Sequence, residues 1–143
     1  MKFLLDTCVI SELVAKRPDA RVTQWIERTD EESLYLSVIT IGEIRKGIAK
    51  LTDPNRKSSL ATWLNDQLLS RFAGRIVPID TGVMLEWGEL VGRLEQAGKP
   101  LSLMDSLIAA TVLHGDFTLV TRNEDDFRNT GSTILNPWAS DLL

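Results

Sequence analysis

The chain has 143 residues, 43% apolar and 25% charged, the balance of one folded domain with an ordinary core. Its single cysteine, Cys8, excludes an internal disulfide, no apolar run is long enough to span a bilayer, and the apolar start from Met1 to Ile10 carries Asp6 and is too short for a signal peptide. The net charge of −4, from 16 basic and 20 acidic residues, counts against binding nucleic acid through a general positive field. It does not exclude nucleic acid, because carboxylates committed to a cation reverse the local sign and Arg45, Lys46 and Lys50 form a basic group. A single domain over 1–143, cytoplasmic and without membrane attachment, is the expectation.

In chain order, Lys2 to Leu5 reads as a short buried strand closed by Asp6. Val9, Ile10, Leu13 and Val14 then fall on one side of a helix, and Pro18 restarts the chain before a second helix marked by Val22, Trp25 and Ile26. Leu34 to Leu36 predicts a second strand, followed by a helix to about Leu51 and turn chemistry at Asp53-Pro54-Asn55. From Arg56 to Phe72, Leu60, Trp63, Leu64, Leu68 and Phe72 share one helical face. Ile76 to Ile79 predicts a weak strand that Pro78 confines to an edge. Asp80 caps the next helix, with Met84, Trp87, Val91 and Leu94 at helical spacing, and Gly98-Lys99-Pro100 ends it. Leu103 to Leu113 is apolar on all sides, which predicts a helix buried in the middle of the fold. Phe117 to Val120 and Thr133 to Leu135 complete the strands. Short apolar strands alternating with helices make the class α/β, with a mostly parallel central sheet flanked by helices.

In such a sheet ligands bind beyond the carboxyl ends of the strands. Asp6 follows the first strand, Glu43 lies in the helix after the second, Asp105 opens the buried helix, and Thr121-Arg122-Asn123 follows a later strand with Asp125 and Asp126 next. Oxygen ligands without His or Cys companions select Mg²⁺ or Mn²⁺ over zinc. Such ions activate water and polarise a phosphodiester, so no histidine base is required of a chain whose only histidine is His114. Each acid also has a structural reading. Asp6 caps a helix, and Ser102-x-x-Asp105 and Thr40-x-x-Glu43 both have the form of a capping box. Burial makes capping alone least comfortable for Asp6 and Asp105. Arg45, Lys46 and Arg122 are either RNA phosphate contacts or solvated charge. Trp25 reads as core before surface. Cys8 reads as a small buried residue, and His114 as a helix C-terminal cation, so a thiol–imidazole pair is not expected.

Four segments in order also resemble one family. Phe3-Leu4-Leu5-Asp6-Thr7 resembles the opening motif of the PIN-domain nucleases, and Ser37 to Ile48, with Glu43 inside it, is similar to the second motif of the VapC and FitB toxins of that family. Leu103 to Leu113 resembles the third, and Leu119-Val120-Thr121-Arg122-Asn123 with Asp126-Phe127 the fourth. The resemblance covers nearly the whole chain. It implies a PIN-like fold and a Mg²⁺- or Mn²⁺-dependent endoribonuclease, the toxin of a type II toxin–antitoxin pair. The implied catalytic residues are Asp6, Glu43, Asp105 and Asn123, with Asp6, Asp105 and Glu43 binding metal. Asn123 replaces an acid at the fourth position, and Asp126 stands close by as an alternative. Thr7 and Thr121 have either a ligand-orienting or a local turn role. The implied partners are RNA, a small antitoxin whose tail occupies the acidic pocket or the groove beside it, and a second copy in a homodimer. Two rival readings stay open. One is a catalytically silent PIN-like RNA- or protein-binding module, motivated by Asn123 and the net charge; the other is a metal-dependent phosphatase acting on small esters.

Overall fold

Hydrophobic alternation on the central strands sets the layers of the computed structural model, which describes residues 1–139; the last four residues of the expected 1–143 domain lie outside the described residues. Strand β1 (Phe3–Leu5) sends Leu4 to one face and Leu5 to the other, and β4 (Thr118–Val120) does the same with Leu119 and Val120. Successive residues on a strand point to opposite faces. A strand buried on both faces is therefore apolar throughout, the pattern that the sequence shows.

Five strands form one sheet in the order β3-β2-β1-β4-β5, with β2 at Leu34–Ser37, β3 at Ile76–Val77 and β5 at Thr133–Leu135. Every ladder is parallel, so the expectation of a mostly parallel sheet is met in full. Strand β3 occupies an edge, as Pro78 required. The second strand goes to one side of β1 and the fourth to the other. The crevice over β1 is therefore the topological switch point of the sheet.

On one face lie α1 (Thr7–Glu12), α2 (Ala20–Arg28), α4 (Pro54–Thr62) and α5 (Leu69–Arg71), packed around Leu5, Val22, Leu36, Leu64 and Phe72. On the other lie α6 (Thr81–Gln96) and α7 (Leu103–Gly115), which bury Leu90, Leu94, Ile108 and Val112 against Leu4 and Leu119. Helix α3 (Val38–Ala49) contributes to both cores through Ile39 and Ile48. Two 3-10 turns, Glu31–Ser33 and Glu124–Phe127, join elements.

Several local expectations change. Asp53-Pro54 is a helix start, because the Asp53 carboxylate accepts from the Asn55 N–H (3.0 Å) and Pro54 takes the first helical position, where a missing N–H costs nothing. The predicted 56–72 helix is interrupted by a π-helical segment, Trp63–Leu68, whose wider turn carries Leu64 and Leu68 inward. Helix α6 buries Val83, Leu90 and Leu94, while Met84 is 42% exposed, so its inner face is rotated from the expected one. Helix α7 is buried mainly between Ser106 and Val112, with His114 exposed near its end. Leu103 and Met104 are 60% and 49% exposed, because the first turn projects past the strand ends. Trp25 belongs to the core as expected, edge-on to Phe3 at 5.2 Å. Among the described residues no helix is long and apolar enough to cross a membrane.

Candidate acidic active site

The parallel register places the site before any side chain is considered. Leu5 pairs with Val120, so the next residues, Asp6 and Thr121, emerge side by side at the strand ends. The Asp6 N–H continues the ladder to the Val120 carbonyl (3.0 Å). The Thr121 hydroxyl, fully buried, donates to Asp6 Oδ2 at 2.8 Å. Asp6 Oδ1 accepts from the Thr7 N–H at 2.9 Å and caps α1. The capping reading of Asp6 is therefore correct, and it accounts for one of the two carboxylate oxygens.

Asp6 is only 9% exposed. Burial pushes its carboxyl pKa up, the bonds from Thr121 and Thr7 draw it down, and the charges of Glu43 and Asp126 push it up again. Asp105, half-buried in the first turn of α7, is raised by burial, lowered by the Ser102 hydroxyl, and raised by Asp126 and Asp6. Its own N–H donates to the Ser102 hydroxyl (3.3 Å), so Ser102 is the cap expected there. None of Asp6, Glu43, Asp105 and Asp126 has a Lys or Arg ion-pair partner among the described residues.

Glu43 loses the structural explanation that the sequence offered it. The cap of α3 is Ser37, whose hydroxyl accepts from the Ile39 N–H (3.0 Å), while Thr40 is buried inside the first turn with its hydroxyl unbonded. Glu43 therefore sits well inside the helix and caps nothing. It is held from across the site, where the Thr7 hydroxyl donates to Glu43 Oε1 at 2.7 Å. Two threonines thus each fix one carboxylate, a pairing the sequence permitted but could not show without the register.

Asn123 is exposed at the rim. Its backbone N–H donates to the Thr121 hydroxyl (3.0 Å), and its side chain neither caps the turn that follows nor bonds another described group. The nearby charge felt by both Asp6 and Asp105 is that of Asp126. Cys8 is not enclosed in apolar core. Its Sγ lies 3.7 Å from Thr121 Oγ1 and 4.0 Å from Asp6 Oδ2, and burial pushes the thiol pKa up, away from a nucleophilic thiolate. His114 lies nine residues further along α7 than Asp105, about 14 Å of helix, against Gly82 of α6. The imidazole is therefore far from the Asp105 end of the helix. Arg45 and Lys46 are exposed on α3 beyond Glu43.

The donor set fits a hard divalent cation. It is all oxygen, one member is buried, and its like charges repel with no ion-pair partner among the described residues to offset them. Among the described residues no three acidic, imidazole or thiol groups converge on one point.

Comparison with known proteins agrees with this architecture. A PIN domain model matches residues 3–132. The plasmid stability protein StbB of Pseudomonas syringae is 39% identical over 94% of this chain and 97% of its own length. A VapC ribonuclease of Sinorhizobium fredii is 36% identical over 94% and 96%, and the toxin FitB of Neisseria gonorrhoeae is 36% identical over 94% and 97%. The crystal structure of FitAcB from Neisseria gonorrhoeae superposes with a TM-score of 0.91 at 36% identity, covering 95% of this chain and 98% of that one.

Proposed function

The chain belongs to the PIN-domain family, and from that premise we propose that it is a Mg²⁺- or Mn²⁺-dependent endoribonuclease, the toxin of a type II toxin–antitoxin pair. One observation carries the metal dependence: Asp6 is buried, repelled by Glu43 and Asp126, and lacks a cationic partner among the described residues. Asp6 would hold the ion directly, with Asp105 and Glu43 reaching it in part through its waters because no three acids converge among the described residues, and with Asn123 or Asp126 as the fourth site residue. A bound ion would polarise the phosphoryl oxygen and lower the pKa of an attacking water.

The chain's own residues perform the positioning. Thr121 holds Asp6 Oδ2, which also faces the Cys8 thiol, and the Thr7 N–H holds Oδ1, so the carboxylate plane is fixed while Oδ1 retains a free lone pair. The Thr7 hydroxyl holds Glu43 Oε1 and leaves Oε2 available. These contacts pre-orient two acids on different elements, the second through a bond that spans 36 residues of chain from Thr7 to Glu43. Thr121→Val is expected to lower activity by about 10–100-fold, the usual cost of losing a group that orients a metal ligand. Thr121→Ser is expected to restore most of it, as measured by cleavage of a fluorogenic RNA.

An antitoxin is a proposed protein partner, supported by the likeness to the toxin FitB and to a FitAcB structure; a second copy of the chain is proposed from the family resemblance alone. A cytoplasmic place in the cell accords with an RNA substrate and a lone thiol. The direct test is incubation of purified protein with single-stranded RNA in Mg²⁺ or Mn²⁺. Internal cleavage that EDTA stops and added metal restores is expected. RNA binding without cleavage in either metal would favour the silent binding module, and hydrolysis of simple phosphate esters but not RNA would favour a phosphatase.

A further inference from the structure

An acidic site that cuts a polyanion needs a cation within reach to hold the strand, and one side chain from the segment flanking the site is built for that. Arg122 lies between Thr121, which holds Asp6, and Asn123, whose N–H closes back on the Thr121 hydroxyl. Its guanidinium lies over the ring of Trp138, 5.1 Å from the centroid. Trp138 is 6% exposed and packs into the core formed by Leu5, Val9 and Val22, so the platform itself is fixed. The residue is nonetheless exposed and makes no ion pair among the described residues. The one acid whose pKa its charge is seen to lower is Asp19, and both oxygens of Asp19 are already taken by Arg21 at 3.1 and 2.8 Å.

We propose that Arg122, laid on the buried ring of Trp138 next to the strand end that carries Thr121, binds a backbone phosphate of the RNA strand away from the one being cut. This rests on the ribonuclease reading. A guanidinium stacked on an aromatic face has lost little freedom still to be lost on binding, and its fork matches phosphate oxygens. Arg45 and Lys46 have no such platform. The pairing also gives the terminal segment around Trp138 a role in binding.

The test uses the full chain and a fluorescent single-stranded oligoribonucleotide, with binding followed by anisotropy in EDTA across a salt series and cleavage in Mn²⁺. Arg122→Ala is expected to reduce the slope of log K against log salt by about 0.7, the share of one phosphate on a single strand. It is also expected to raise KM several-fold with kcat within twofold. Arg122→Gln retains a planar head against Trp138 without the charge and is expected to lose the same slope, which separates charge from packing. Wild-type cleavage together with unchanged slope and KM in both variants would overturn the assignment and leave the nuclease reading intact. A wild-type chain that neither binds nor cuts RNA would overturn both.

Discussion

Asp6→Asn is expected to lower RNA cleavage at least about 100-fold, beyond the loss typical of groups that merely orient a ligand, while leaving the metal-free fold as stable as before or more so. Asn is as good a helix cap as Asp, so the bond from the Thr7 N–H is retained. The amide can donate to the Thr121 oxygen where the carboxylate accepted from it. What disappears is a buried charge, with its desolvation cost and its repulsion from Glu43 and Asp126. A residue present only for structure would show the opposite pattern, with activity intact and stability lost. Cleavage kinetics and a thermal melt on the same preparation decide it. Activity within a few-fold of wild type would remove Asp6 from the catalytic group, and a fall in melting temperature beyond about 4 °C, the equivalent of roughly 1 kcal/mol in a domain of this size, would refute the claim that its buried charge costs stability.

Capping was legible in the sequence and was a poor guide to function, because it is compatible with it. Asp6 does cap α1, and Ser102 does cap α7. Glu43 shows the limit from the other side. Thr40-x-x-Glu43 has the spacing of a capping box, yet the chain enters α3 three residues earlier at Ser37, where β2 ends without an intervening loop. Strand ends are set by ladder pairing, here Ser37 with Val77, and a distant strand cannot be read from a local motif.

The sheet was legible because strands buried on both faces have no polar residues to confuse the pattern, and parallel order follows from the helices between them. Helix phase was less legible. Where α6 and the start of α7 leave the sheet, apolar Met84, Leu103 and Met104 are exposed, and periodicity cannot distinguish an apolar residue facing the core from one facing outward. The argument that burial makes capping uncomfortable holds for Asp6, but Asp105 stands in an open first turn and gains its raised pKa partly from its acidic neighbours. The Arg122–Trp138 pair had no sequence signal at all, since the two residues come from segments on either side of β5.

The carboxylates also set how stability answers to pH and metal. Asp6 and Asp105 have folded-state pKa values raised above the unfolded 3.8, so the folded state prefers them protonated. Their favourable contribution is complete below 3.8 and is lost as pH rises through the raised folded values. The metal-free protein should therefore gain stability at this site on acidification from neutral pH toward about 4. Asp19, held at about 2 by Arg21, and Glu31, lowered by Arg71 and Arg75, act with the opposite sign. Their contribution is present above the unfolded values and lost as pH falls through the folded ones, and both pairs are exposed enough for it to be small. On the proposed metal-dependent reading, Mn²⁺ is expected to reverse the site's preference, because only ionised acids would bind it. At about one hundred times its Kd the ion adds roughly 2.7 kcal/mol, and that increment should shrink as acid competes for Asp6. Thermal melts over pH, with EDTA and with Mn²⁺, are expected to cross for the wild type, stabilised by acid in one case and by neutrality in the other. In Asp6→Asn both responses should be blunted together. A wild-type melt that Mn²⁺ does not move at neutral pH would refute the metal site while leaving the PIN fold untouched.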